Sequence, residues 1–245
     1  MIPISAVSYL NTKPFLLGLQ HSSISREISV SLDTPAQTAQ KLLSGEAQVG
    51  LVPVAVIPQL PHRHLITRYC IGAVGAVQTV CLYSRVPLNQ IRRIWLDYQS
   101  RTSVQLVQLL CQHYWHINPQ FLPATIGFES LIASDTAALV IGDRAISLNA
   151  EYEYVYDLGE AWHQWTQLPF VFAAWVATRP LPDHFEAALN AAFADGLRRT
   201  DEVVAQYKDQ YPPHFDLHAY FTRYISYDFD AAKQQGLEHF WALMR

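Results

Sequence analysis

A chain of 245 residues, half of them hydrophobic and 12% aromatic, has ample material for a packed core and does not read as a disordered protein. Its formal net charge of −4 is spread without long like-charge runs, which excludes an electrostatic footprint for nucleic acid or an anionic membrane surface. No run of about 18 apolar residues suggests a membrane span, and the opening MIPISAVSYLNTKPF has no basic segment leading into a long apolar one, so a cytoplasmic protein is expected.

Residues 4–8 read as a strand, Tyr9-Leu10-Asn11-Thr12 as a turn, and the stretch to about Gln20 as a short helix. Residues 28–32 alternate as a strand does. Asp33-Thr34-Pro35 then supplies an N-cap followed by proline at the first helical position, and Gly45 closes that helix. Residues 49–52 form a short apolar run suited to a buried parallel strand. Residues 78–84 and 94–97 read as further strands. Leu106, Val107, Leu110, Cys111 and Tyr114 recur on one face of a helix that opens after Ser100-Arg101-Thr102. Residues 137–141, 154–156 and 171–176 are the remaining predicted strands. Beyond them, Phe185, Ala188, Leu189, Ala192 and Phe193, and later Leu237, Phe240, Trp241 and Met244, mark a tail of three or four helices.

Strands alternating with helices predict an α/β fold with mostly parallel sheets covered on both faces. Two such sheets, with the terminal helices packed back on the first, make two lobes and a cleft. Open α/β sheets bind ligands beyond the carboxyl ends of their strands.

The three cysteines, Cys70, Cys81 and Cys111, form no CxxC and read as reduced core thiols. His62 and His64, and His113 and His116, lack companion carboxylates or thiols, so no metal is expected. With no GxGxxG, P-loop or GxSxG, neither a nucleotide cofactor nor an acyl-enzyme serine is supported.

Two strand-to-helix turns carry the chemistry. Ser8-Tyr9-Leu10-Asn11-Thr12 and Ser100-Arg101-Thr102-Ser103 each put polar side chains beside the unpaired N–H groups of a helix start. One such turn reads as an ordinary N-cap; two, one per lobe, favour an anionic ligand. Charge-assisted hydrogen bonds contribute about 1.5–3 kcal/mol each, so four or five donors around a dicarboxylate suffice for micromolar affinity, about −8 kcal/mol. A third candidate is the polar turn around Gln78-Thr79, where Gly72 and Gly75 permit close backbone approach; it reads equally as a plain glycine loop. A fourth is Gly142-Asp143, with Asp143 expected to cap the next short helix.

Five segments resemble, in order, the chorismate dehydratase family of the futalosine route to menaquinone. They are Ser5-Ala-Val-Ser-Tyr-Leu-Asn-Thr12, Val49-Gly-Leu-Val-Pro-Val54, Leu96-Asp97 with Ser100-Arg-Thr-Ser103, Leu139-Val-Ile-Gly-Asp143, and Tyr156-Asp-Leu-Gly-Glu-Ala-Trp162 running on to Leu168-Pro-Phe-Val-Phe-Ala173. The match spans residues 2 to 177, and the helical tail adds little. The resemblance implies a type II periplasmic-binding-protein fold: two lobes with mixed or parallel sheets, an interlobe cleft and a helical C-terminal tail. Lobe I would be residues 1–80 plus 176–245 and lobe II residues 81–175, with hinge crossings near 80–84 and 171–175.

It also implies conversion of chorismate to 3-[(1-carboxyvinyl)oxy]benzoate and water without metal or organic cofactor. The family's substrate-facing asparagine falls on Asn11 and its substrate-facing serine on Thr79, where threonine keeps the hydroxyl and adds a methyl. The segment Ile71-Gly-Ala-Val-Gly-Ala76 lacks the proline often found there in relatives. Within the matched motifs Ser8, Tyr9, Gln78, Ser100, Arg101, Thr102, Ser103, Gly142, Asp143 and Phe170 are the implied substrate-binding positions. No histidine or glutamate in them offers a base, so the substrate's own enolpyruvyl carboxylate is expected to take the proton. A homodimer is left open. Two other readings share the fold: a non-catalytic carboxylate-binding protein, and the 1,4-dihydroxy-6-naphthoate synthase of the same route.

Overall fold

The chain folds around two mixed sheets, seen in a computed structural model that describes residues 1–149 and 151–245. Strand β1 (Ile2–Val7) leads through a 3-10 turn (Leu10–Thr12) into α1 (Lys13–His21), and β2 (Ile28–Asp33) into α2 (Pro35–Ser44). The start of α2 is fixed by a capping box. Thr34 Oγ1 accepts from Gln37 N–H, the Gln37 side chain accepts from Thr34 N–H, and Pro35 supplies a preset φ. Gly45 ends the helix at φ +76°, a conformation that suits a residue without Cβ. Strands β3 (Val49–Pro53) and β4 (His64–Ala73) follow.

The chain then crosses to the second sheet, with β5 (Val80–Ser84), β6 (Arg93–Leu96), α3 (Thr102–His113), β7 (Gln120–Pro123), β8 (Thr136–Ile141), α4 (Asp143–Leu148) and β9 (Tyr154–Asp157). Helix α5 (Leu158–Thr166) returns it to β10 (Phe170–Ala177). The tail comprises α6 (Asp183–Arg198), α7 (Thr200–Tyr207), a short α8 (Leu217–Ala219) running into a π-turn (Tyr220–Tyr224), β11 (Ser226–Asp228) and α9 (Ala231–Leu243).

The first sheet has the order β11-β4-β10-β3-β1-β2 and the second β7-β6-β8-β5-β9. Both are mixed, within what the family resemblance implies, whereas strand–helix alternation alone predicts mostly parallel sheets. β1 runs parallel to β2 and β3, but β10 is antiparallel to β3 and β4; in the second sheet β5 is antiparallel to β8 and β9. The antiparallel pairings arise because the chain enters each sheet once from the other lobe, and a crossing strand reverses direction.

The crossings fall elsewhere than the sequence suggests. β5 lies wholly in the second sheet and β10 wholly in the first, so the chain changes sheet within residues 74–79 and again between Asp157 and Phe170. Every residue of β10 is buried, as a strand filling the gap between β3 and β4 must be. Strands β4, β7 and β11 also lie outside the elements expected from sequence. β11 is three residues long, too short to alternate visibly.

The tail packs on the first lobe. Gly18 of α1 and Gly196 of α6 let the two helices touch backbone to backbone: a Cβ at either would lie 1.9 Å from a carbonyl oxygen of the other helix. Phe15 sits among Phe193, Tyr227 and Trp175 at centroid distances of 4.5, 5.2 and 5.9 Å, each pair adding about 0.5–1.5 kcal/mol beyond simple burial. All three cysteines are buried and free, and burial pushes the Cys70 and Cys111 thiols up to about 12.

Candidate functional site

A cavity lies between the two sheets. Its walls are mainly apolar, from Val7, Leu51, Ile71, Val77, Ile141 and Phe172, and its polar side chains come from the turns. Among the described residues, Tyr9 and Arg101 are the titratable side chains in the lining.

From the first lobe, the turn after β1 contributes Tyr9 and Asn11. Asn11 is held at both ends. Its carbonyl accepts from Tyr227 O–H at 2.9 Å and its Oδ1 from Thr12 O–H at 3.2 Å. The Tyr9 hydroxyl donates to Gln99 Oε1 of the second lobe, and its ring lies on Gly142, where a Cβ would come within 2.7 Å of it. Burial first, and then the Asp97 charge, push the Tyr9 phenol far above its ordinary value, so it stays a donor.

From the second lobe, Ser100, Arg101, Thr102 and Ser103 open α3 against the cavity. Ser100 Oγ accepts from Ser103 N–H at 3.1 Å, the bond of a helix cap. No protein acceptor is recorded for the amides of Arg101 and Thr102 among the described residues, and both residues line the cavity. Open amides at a helix start are chemically suited to an anion. The Thr102 hydroxyl is spent elsewhere: it donates to Phe172 O at 3.0 Å and accepts from Ala55 N–H at 3.3 Å, tying α3 to the first sheet.

Thr79 completes the cluster from the first crossing, fully buried at the cavity floor. Its carbonyl accepts from Gly142 N–H at 2.8 Å, and its hydroxyl lies 3.0 Å from the Tyr220 hydroxyl.

Four expected positions lie off the lining. Ser8 is half-buried, with its amide donating to Asp33 O at 2.9 Å. Gln78 sits at φ +65°, its amide bound to Asp157 and its carbonyl accepting from Asn149 Nδ2 at 3.1 Å, which keeps it outside the strand expected to begin there. Phe170 is buried behind the wall against Trp162, Phe172 and Phe240, while Phe172, two residues on, lines the cavity; the pairing of β10 with β4 is irregular between Val171 and Ala173. Asp143 does not cap α4. Its carboxylate crosses the cleft, accepting from Leu10 N–H at 2.9 Å and from Tyr211 O–H at 3.0 Å, and burial raises its pKa.

Two further carboxylates hold the turns. Asp97 accepts from Gln99 N–H at 2.9 Å and Ile141 N–H at 3.0 Å, and pairs with Arg144 at 2.5 Å, linking the ends of β6 and β8. Asp157 caps α5 through Gly159 and Glu160 and also accepts from Val77 and Gln78 N–H at 2.9 and 2.6 Å, fixing the crossing that carries Thr79. Burial pushes its pKa up to about 6 against the pull of those amides. Its sequence signal was an acidic N-cap before an apolar helix. Tyr220 had none, since its pairing joins residues 141 apart in sequence.

Comparison with known proteins bears on this geometry. The family profile described as menaquinone biosynthesis matches residues 2–245. A chorismate dehydratase from Thermus thermophilus is 35% identical over 193 residues, covering 69% of each chain. Among solved structures, a protein from Archaeoglobus fulgidus superposes with a TM-score of 0.73 at 14% identity, over 99% of this chain and 96% of its own. The alkanesulfonate-binding protein SsuA from Xanthomonas axonopodis pv. citri, bound to MOPS, gives 0.58 at 15%, over 99% and 93%. The architecture is thus periplasmic-binding-protein-like. No helix among the described residues is long and apolar enough to cross a membrane.

Proposed function

The chain belongs to the menaquinone biosynthesis family, and from that premise we propose that it is a hydro-lyase converting chorismate to 3-[(1-carboxyvinyl)oxy]benzoate and water, acting in the cytoplasm. The observation that carries the reading is a largely apolar cavity with free amides of Arg101 and Thr102 on one side and the Asn11 and Thr79 side chains on the other. Such a cavity accepts a ring bearing two carboxylates.

The reaction removes a ring proton and the neighbouring ring hydroxyl, and the gain of aromaticity supplies the driving force. The proton lies γ to the ring carboxylate through a double bond, so its removal moves charge onto that carboxylate. Amides at the start of α3 stabilise the charge as it develops, with no reorganisation at the moment of reaction. Loss of the hydroxyl with the electron pair then closes the aromatic ring.

The lining offers no carboxylate, imidazole or amine side chain among the described residues to take the proton. The substrate's enolpyruvyl carboxylate, attached to the same carbon through oxygen, fills that role when Asn11 and Thr79 hold it over the C–H bond. The proton leaves with the hydroxyl as water.

Incubating the purified protein with chorismate and following the ultraviolet spectrum tests this. Appearance of the benzoate is expected. Calorimetric binding of chorismate without turnover would instead make the protein a carboxylate-binding module, and turnover of only a cyclic futalosine-derived substrate would make it the naphthoate synthase.

A further inference from the structure

The Thr79 hydroxyl can serve the reaction in two opposite senses, as donor to the substrate or as acceptor from it, and its neighbours decide which. Apart from the cavity it has two partners: Tyr220 O–H at 3.0 Å, and Val77 O at 3.5 Å, a marginal contact. Tyr220 is fully buried, walled by Phe215 and Phe221, and held on a π-turn, a helical irregularity frequent at functional sites.

Among the described residues, the buried Tyr220 hydroxyl has one hydrogen-bond partner, Thr79 Oγ1. A buried phenol proton with no acceptor is costly, whereas Thr79 Oγ1 can accept and still donate. The Tyr220 hydroxyl therefore donates, and Thr79 Oγ1 is the acceptor within reach. That leaves the Thr79 proton free to enter the cavity.

We propose that Tyr220 is a positioning residue: through a one-way chain from the Tyr220 hydroxyl to Thr79 Oγ1 and on to the substrate, it fixes Thr79 as a hydrogen-bond donor. This rests on the dehydration reading and assigns Thr79 a sense within it. Tyr220 itself does not touch the substrate. Burial holds its phenol far above the ordinary value, so the chain keeps its direction at every working pH.

The experiment is a cycle of Tyr220→Phe, Thr79→Val and the double variant, with kcat and KM for chorismate read separately. Tyr220→Phe should lower kcat about tenfold and leave KM within about twofold. In the Thr79→Val background the same substitution should change kcat by less than about twofold, because the group it orients is gone. Equal fold-losses in the two backgrounds, or wild-type kcat in Tyr220→Phe, overturn the assignment. Thermal melts by circular dichroism verify that each variant is folded.

If the wild-type protein yields no benzoate from chorismate, the dehydration reading fails on its own. The cycle is then read on the calorimetric Kd of isophthalate, a ring with two carboxylates. Coupling between the two positions sustains the orientation chain, and additive losses overturn it. A Tyr220→Phe protein that does not fold is replaced by Thr79→Val alone. Unchanged isophthalate affinity and unchanged kcat in that variant remove Thr79 as a donor and the chain with it.

Discussion

The turn after β1 and the turn before α3 face each other across the cavity, and they spend their polar groups in opposite ways. In the first, the backbone donor at Leu10 is taken by Asp143 of the other lobe, and the Tyr9 hydroxyl by Gln99. The Asn11 side chain is then the main polar group this turn can offer the cavity. In the second, Ser100 caps its own helix and the neighbouring amides stay open toward the cavity. The first turn therefore closes the cleft and presents one side chain, while the second presents backbone. Similar clusters of hydroxyl and amide residues beside a helix start thus do different work, according to whether the partner lobe or the local chain satisfies them.

Asn11→Ala is the sharpest way to break this comparison, because it removes the one cavity-facing amide side chain that the first turn presents. Turnover of chorismate should fall about 100-fold or more, in the range lost when a preorganised donor is deleted, while the melting temperature holds. Near-normal rates would show that the first turn only closes the cleft.

Next in size is a matched pair. Asp143→Ala strips Leu10 N–H and Tyr211 O–H of a buried acceptor, weakening closure by about 1–3 kcal/mol. KM should rise accordingly, and small-angle scattering should show a more open particle. Ser100→Ala removes a cap of about 1 kcal/mol. It should raise KM about fivefold with no change in scattering. Identical scattering from the two variants would erase the distinction between a closing turn and a binding turn.

The smallest effect concerns the crossing itself. Asp157 titrates at about 6 in the folded protein and near 3.9 in an unfolded chain. Between those values the native state binds more protons than the unfolded one, so this group makes stability fall as pH rises from about 4 to about 6. Denaturant titrations across that window should show a shallower decline in Asp157→Asn. An unchanged slope would mean that Asp157 is ionised throughout.

Most of the first lobe was legible from local signals, such as the Thr34-Pro35 start and Gly45 end of α2, because those depend on neighbouring residues alone. The two turns were legible for the same reason. Less visible was whatever depends on partners distant in sequence. Asp143 reads as a helix cap until Leu10, 133 residues away, is seen to occupy it. Phe170 and Phe172 stand two residues apart, so strand alternation does not tell them apart, and the irregular pairing of β10 with β4 between Val171 and Ala173 is visible only in the fold. Tyr220 lies in a tail whose periodicity speaks of helix packing and nothing else.

Placing β10 between β3 and β4 also has a consequence for how the protein is made. As the chain leaves the ribosome, β1 to β4 emerge first, yet the slot between β3 and β4 stays empty until residues 170–177 follow. The strands from β5 to β9 are contiguous in sequence and need nothing later to pair among themselves. The second lobe can thus fold during synthesis while the first waits as an incomplete sheet, and a chain stalled before β10 would be the species most exposed to aggregation.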